Sequence, residues 1–350
     1  MAKIGIVGTG WGARVQVPTF REAGLHVVAI AGHRPERTRQ TASELDVRPY
    51  ADWRELVASP EVELVSIVTP PSEHREMALA ALEAGKHVLL EKPTARDAYE
   101  AEELVAAAER HGDRLTLIDH ELRFLPSWRE ARTRVAELGE FRYAEVRYSS
   151  PARGDRTREW NWWSDANRGG GIWGAVGSHF VDALRYFGVE FEAALAMMRT
   201  TIEERPYDGG THAVTSDDLA SVSLRTHSGA MAMMTFSVVS TGPDETSMMT
   251  MHCERGALRF IGEEVLISTG RQPFTTLAGG ALQDRPGNSP GGAFGTGTLH
   301  LGHALKAALD DGDRNALAPA ATFVDGLMQQ RVLDAARTSA ATGGWAKIQD

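Results

Sequence analysis

The sequence predicts an α/β protein of two domains, a doubly wound nucleotide-binding half followed by an α+β half. Three observations predict this. At 350 residues the chain exceeds what one typical core supports. A glycine-rich turn, Gly8-Thr9-Gly10-Trp11-Gly12-Ala13, stands between an apolar strand pattern and a helical one near residue 4. After residue 140 a run of alternating strand patterns takes over, as a separate α+β layer would give.

The strand Ile4–Val7 opens the first half. In the turn that follows, Gly8 allows the tight reversal, Gly10 lets backbone approach a pyrophosphate, and Ala13 lets the helix pack close. The helix toward Phe20 then presents its free N–H groups and positive dipole end to phosphate. Gly8, Thr9, Gly10, Trp11 and Ala13 are therefore candidate cofactor contacts. The second strand, His26–Ala31, ends in Gly32-His33-Arg34-Pro35-Glu36-Arg37. A site for NAD usually carries Asp or Glu there for the ribose 2′-hydroxyl, whereas His33, Arg34 and Arg37 suit a 2′-phosphate. The expected cofactor is NADP in preference to NAD.

A third strand, Leu64–Val68, leads into Thr69-Pro70-Pro71, with His74 just beyond. A helix follows over about 72–84, closed by Gly85. Then comes the strand His87–Leu90, with Glu91-Lys92-Pro93 at its carboxyl end. Ligands of open parallel sheets bind beyond the carboxyl ends of strands, so Thr69, Pro70, His74, Glu91 and Lys92 join the candidate cofactor contacts. Adjacent residues of a strand point to opposite faces, so a Glu91–Lys92 ion pair is not expected.

The second half begins after the hinge-like DHELRFLP. A helix is expected over about 127–138 and a strand over Phe141–Ser149. Further strands follow at Ala193–Ile202, Leu219–Thr226, Ala230–Val239, Ser247–Cys253 and Ala257–Phe260. The methionine clusters MAMMTFSVV and SMMTMHC lie in those strands and suit either sheet core or an interface. The Gly/Pro-rich stretch Gly279–Gly297 reads as a surface loop or arm.

Bulk composition narrows the function classes. A net charge of -10 argues against nucleic-acid binding, which needs a basic face. No apolar run reaches the ~20 residues of a membrane span, and MAKIGIVG has no signal-peptide pattern. The single cysteine, Cys253, excludes an internal disulfide and a thiolate cluster. His300 and His303 are three apart without a third ligand nearby, so no metal site is assigned. The expectation is a cytoplasmic protein with a small-molecule substrate and no nucleic-acid or membrane partner.

GTGWGA, TPPSEHREMALAALEAGKHVLLEKP, RFLPSW, GGGIWGAVGSHFVD and the C-terminal ATFVDGLMQQRVLDAARTSAATGGW together resemble the Gfo/Idh/MocA oxidoreductase family over essentially the whole chain. The resemblance implies a Rossmann domain, placed at 1–120, and a C-terminal domain at 121–350 with a large open, mostly antiparallel sheet. It also implies a homodimer or homotetramer through that sheet. It implies an NAD(P)-dependent oxidoreductase acting on a sugar, cyclitol or related polyol, with Lys92 beside nicotinamide and substrate hydroxyl. A cationic nicotinamide would favour the neutral amine, which suits proton transfer.

The resemblance further implies the pattern GGGxLxDxGxHxxD, whose last two positions are His179 and Asp182. The first aspartate of the pattern falls on Ala175, a departure that removes a carboxyl. Asp182, one helical turn on, is placed to hold the His179 imidazole. The catalytic candidates are thus Lys92, His179 and Asp182. Lys92, Arg123, Trp163, Asp165 and His179 are the substrate candidates, with Glu121 beside Arg123 at the hinge. Ala175 also keeps open an alternative, a non-catalytic dinucleotide-binding regulator of galactose-repressor type.

Overall fold

The computed structural model describes residues 1–242, 245–277 and 292–349. They fall into two compact units. The first comprises Met1–Ala95, Tyr99–Leu125 and 292–327; the second comprises Arg96–Ala98, the described part of 126–277, and 328–349.

The first unit is built on β1 (Lys3–Val7), β2 (His26–Ala31), β3 (Arg48–Tyr50), β4 (Leu64–Ile67), β5 (His87–Leu90) and β6 (Thr116–Ile118). These lie in the order β6-β5-β4-β1-β2-β3, all parallel. That order, with its reversal at β1, is the doubly wound arrangement, and it leaves a crevice at the carboxyl ends of β1 and β4. The strands are near-continuous apolar runs because helices cover both faces. One core gathers Val65, Ile67, Val88 and Leu90 with Ala78 and Leu82 of the helix Pro71–Glu83. The other gathers Ile4, Ile6, Val17 and Phe20 with Leu301 and Leu305 of the helix Gly292–Asp310.

That last helix departs from the expected division at 120/121. The first unit runs on to Leu125 and takes back a segment from near the end of the chain. The strand Ala321–Thr322 pairs antiparallel with β6, Ala321 opposite Ile118, and so covers an edge that would otherwise expose unpaired backbone. Of the expected loop 279–297, residues 279–291 lie outside the described residues. Gly292–Gly297 open the helix instead, and Gly297 is needed there: a Cβ would sit 2.5 Å from the Glu121 carbonyl oxygen.

The second unit carries a nine-stranded sheet. In order its strands are Thr275–Thr276, Glu264–Thr269, Gly256–Ile261, Thr246–Cys253, Phe141–Ser149, Met231–Ser237, Leu219–Arg225, Ala193–Arg199 and Ala346–Lys347. Only the pairing of Phe141–Ser149 with Met231–Ser237 is parallel. Alternation sorts each strand by face: Ala232, Met234 and Phe236 are buried, whereas Met233 is exposed. The buried face is covered by the helix Ser178–Tyr186 and by the chain's last helix. Trp173 and Phe180 meet Phe236 at 5.7 and 5.6 Å between ring centroids, and Ala196 N donates to Ser339 Oγ at 2.9 Å. Both the fold class and the six strands expected in this half are borne out. The methionines divide, with Met249 and Met251 in the core and Met197 75% exposed.

Candidate active site

The chain leaves β1 into Gly8, whose φ is +134°; a Cβ there would fall 2.2 Å from the Val68 carbonyl oxygen. Gly8 N donates to Ala31 O at 2.9 Å and Val68 N to Val7 O at 2.7 Å. The turn is thereby flush with the ends of β2 and β4. At Gly10 the space a Cβ would fill has no atom within 4 Å, which is the clearance a pyrophosphate needs. Residues Gly12–Gln16 form a wider π-helical turn before the helix Val17–Glu22. Trp11 lies edge-on to Phe294, 6.4 Å between centroids, and Ala13 is buried. A dinucleotide fits this cradle, with Gly8, Thr9, Gly10 and Trp11 to hold it.

At the tip of β2, His33, Arg34 and Arg37 are exposed. Glu36 bonds Arg39 one turn along its own helix. The one acid in this basic group is thus engaged within the helix.

His74 takes a different role from the expected cofactor contact. Its ring is fully buried, with Nε2 2.8 Å from Thr69 O and Nδ1 3.1 and 3.3 Å from Pro93 O and Thr94 O. It ties the loop after β4 to the loop after β5 and has no surface left for a ligand. Burial pushes its pKa down to about 4, against the pull of those carbonyls. The Thr69 hydroxyl turns to Met77 Sδ at 3.6 Å, and Pro70 caps the helix Pro71–Glu83.

Glu91 and Lys92 lie just past the end of their strand. The strand stops at Leu90, so strand alternation no longer governs the next two residues. Lys92 N donates to Glu91 Oε2 at 3.2 Å, and the Lys92 charge acts on the Glu91 carboxyl. Backbone bonds continue the sheet by one residue, Glu91 N to Ile67 O at 2.9 Å and Asp119 N to Leu90 O at 2.8 Å. Two carboxyls therefore emerge side by side from neighbouring strand ends, and Glu121 follows in the next helical turn.

A buried polar chain backs them. Ser66 Oγ donates to Gln16 Oε1 at 2.6 Å, and Gln16 Nε2 donates to Asp119 Oδ2 at 2.8 Å. Burial raises Glu91 to about 8, helped by Asp119 and opposed by Lys92. Asp119 is raised to about 6 by burial, against the Gln16 bond and Lys92. Glu121 stands well above the carboxylate range through burial, then Asp119 and Glu91. Asp119 closes the expected Rossmann half, and its acidity has no periodic signature. Only the chain's return to the sheet end reveals the group.

Arg123, expected at the substrate, is 5% exposed and pairs with Asp325 at 3.2 Å. Asp325 also accepts from Thr322 N and Oγ1, both at 2.8 Å. The guanidinium fastens the returning segment, a structural duty in place of the expected substrate contact.

In the second unit, a π-helical turn over Trp173–Gly177 precedes the helix Ser178–Tyr186. His179 and Asp182 are both buried, one turn apart. Gln329 Nε2 donates to Ser178 O at 2.7 Å. Asp217, overlooked in the sequence, organises the glycines from behind. Its Oδ2 accepts from Trp173 N at 2.7 Å and its carbonyl from Ile172 N at 2.9 Å. Trp163 is half-buried, with the Arg153 guanidinium 4.2 Å from its ring, a cation–π contact. Asp165 Oδ1 caps a short turn by accepting from Asn167 N at 2.9 Å. Lys92 and His179 belong to different units.

The family described as "Oxidoreductase family, NAD-binding Rossmann fold" matches residues 2–118, and the "GFO/IDH/MocA C-terminal domain" matches 128–259. An uncharacterized oxidoreductase of Synechocystis sp. is 30% identical over 262 residues, covering 73% of this chain and 70% of that protein. The Glucose-fructose oxidoreductase domain-containing protein 2 of Xenopus tropicalis is 28% identical, covering 99% and 93%. Levoglucosan dehydrogenase in complex with NADH and L-sorbose superposes with a TM-score of 0.87 at 23% identity, covering 100% and 99%. An inositol dehydrogenase homolog from Azotobacter vinelandii, with NADH and myo-inositol, gives 0.80 at 23% identity, covering 99% and 97%. No helix among the described residues is long and apolar enough to cross a membrane. The two matched domains and the relative at 30% identity, standing on a doubly wound sheet with a glycine cradle, place this chain in the Gfo/Idh/MocA oxidoreductase family.

Proposed function

We propose that this protein is a nicotinamide-dependent oxidoreductase that interconverts a secondary alcohol and a ketone on a sugar, cyclitol or related polyol. The observation that carries the reading is the grouping at one sheet end of a pyrophosphate-sized cradle at Gly8–Gly10 and an amine, Lys92, set among carboxyls. A bound dinucleotide would supply the hydride acceptor or donor. Lys92 would hold the substrate oxygen and move its proton, and His179, with Asp182 one helical turn on, is the second candidate proton-handling group. Trp163 and Asp165 would meet the substrate ring and its hydroxyls. Similarity to a levoglucosan dehydrogenase and an inositol dehydrogenase homolog supports the substrate class.

The finer cofactor reading is NADP, supported by exposed His33, Arg34 and Arg37 and by the engagement of Glu36 with Arg39. Tighter binding of NADPH than of NADH in parallel titrations is expected; the reverse order overturns it. Met197 and Met233, 75% and 43% exposed on the sheet, support a homodimer or homotetramer, which light scattering measures.

A panel of polyols and keto-sugars with NAD(H) and NADP(H), read by reduced-nicotinamide absorbance, tests the activity. Lys92→Ala should lower turnover on the order of 10²–10⁴-fold while cofactor affinity holds. Wild-type turnover in that variant refutes the role. Ala175 favours a second reading, a dinucleotide-binding regulator, which tight cofactor binding with silence across the panel would support.

A further inference from the structure

Within the first unit, Glu91, Asp119 and Glu121 crowd around the charge of Lys92. The Lys92 charge acts on all three carboxyls, that of Asp119 on Glu91 and Glu121, and that of Glu91 on Glu121. His120, which lies between two of them in sequence, and the Arg123–Asp325 pair are the neighbouring ionisable groups along the same segment. One cation cannot balance three anions in a buried setting, so protons must supply the rest. The buried oxygens bear this out. Asp119 is 1% exposed and Glu121 is 4% exposed. Asp119 Oδ1 and Glu121 Oε2 find no hydrogen-bond partner among the described residues. A carboxylate oxygen in that position is costly, whereas a protonated carboxyl tolerates it.

We propose that Asp119 and Glu121 form a proton store behind Lys92, exchanging the proton that Lys92 takes from or returns to the substrate oxygen. This rests on the dehydrogenase reading. In the oxidative direction one N–H bond of the Lys92 ammonium breaks and its proton bonds to a carboxylate oxygen of the store. The alcohol O–H bond then breaks, and its proton bonds to the lone pair freed on Lys92 Nζ. A bound nicotinamide dinucleotide would supply the acceptor for the electron pair of the alcohol's C–H bond, its reduction balancing the alcohol's oxidation. The store later returns its proton to water. Asp119 and Glu121 act through Lys92 and are positioning residues.

Infrared titration of the carboxyl stretch in the intact protein, without cofactor or substrate, tests the store directly. The wild type should keep a protonated-carboxyl band at pH 7. Glu121→Gln should remove its share of it and leave that of Glu91, and Asp119→Asn should move the band's midpoint to lower pH by lifting one negative neighbour. Asp119→Glu should restore the wild-type midpoint. Circular dichroism and NADH binding establish that each variant is folded. No such band in the wild type, or an identical titration in both variants, overturns the proposal. A normal band with no turnover on the polyol panel would overturn the dehydrogenase reading and leave the proton-holding cluster intact.

Discussion

Gln16 Nε2 donates to Asp119 Oδ2 across 2.8 Å, joining residues 103 positions apart. The same amide accepts from Ser66 Oγ on β4. One neutral side chain thus links the helix after the glycine turn, the sheet, and the acidic strand end. Because all three residues are buried, each polar atom depends on its neighbour.

Replacement of Gln16 by Leu removes a donor from Asp119 and an acceptor from Ser66 at nearly constant volume. Leaving such groups unsatisfied costs about 1–3 kcal/mol each. Urea unfolding should therefore show a loss of at least about 1 kcal/mol. A change below roughly 0.5 kcal/mol, ordinary for a surface position, would mean that the chain of bonds contributes little.

The two glycines of the turn should separate stability from binding. Gly8→Ala meets both a left-handed φ and the Val68 carbonyl, and should destabilise by roughly 1–3 kcal/mol. Gly10→Val meets open space and should leave the unfolding midpoint near that of the wild type. Its side chain would fill the clearance the pyrophosphate needs, so NADH affinity should fall by roughly tenfold or more, a modest steric loss of about 1.4 kcal/mol. Calorimetric titration beside thermal unfolding reads both. Unchanged affinity in Gly10→Val would displace the cofactor from this turn.

Stability should depend on pH in two opposed ways. Glu91 and Asp119 are raised to about 8 and about 6, so the folded protein keeps protons that the unfolded chain has lost. Their contribution is full below about pH 4 and disappears as pH rises through 6 and 8. His74 is lowered to about 4; its contribution is present above about pH 6.5 and lost as pH falls toward 4. Between pH 6.5 and 8 only the carboxyl effect remains, and Glu91 alone should remove about 2 kcal/mol. Urea unfolding across that range should show the decline, and Glu91→Gln should make it shallower, Glu121 keeping the rest. A wild-type profile flat from 6.5 to 8 would contradict it.

Asp217 gives the matching test in the second unit. Asp217→Ala strips the acceptor from Trp173 N and should cost about 1–3 kcal/mol. NADH binding should be unchanged if the cradle at Gly8–Gly10 is the cofactor's.

The first unit was legible because its signals are local. A strand, a glycine turn and a helix follow one another within twenty residues, and each apolar run marks a strand buried on both faces. The strands of the second unit were legible from alternation, except the two-residue Thr275–Thr276 and Ala346–Lys347, which leave no period to count, and Glu264–Thr269, whose Val265-Leu266-Ile267 run does not alternate. Lys92 was found by its position after an apolar strand. Its acidic surroundings were not, because Glu91 and Asp119 come together only through the β5–β6 pairing. His74 and Arg123 depart from expectation for one reason: composition shows a polar side chain, and only packing shows that backbone carbonyls or Asp325 already engage it.

The strand Ala321–Thr322 and the helix Gly292–Asp310 complete a sheet whose other strands end at Ile118. During synthesis the nucleotide-binding half therefore waits, with one edge and one apolar flank open, until nearly the whole polypeptide has left the ribosome. A fragment cut at residue 125 should be poorly soluble by itself and should recover when a separate peptide spanning the missing pieces is co-expressed.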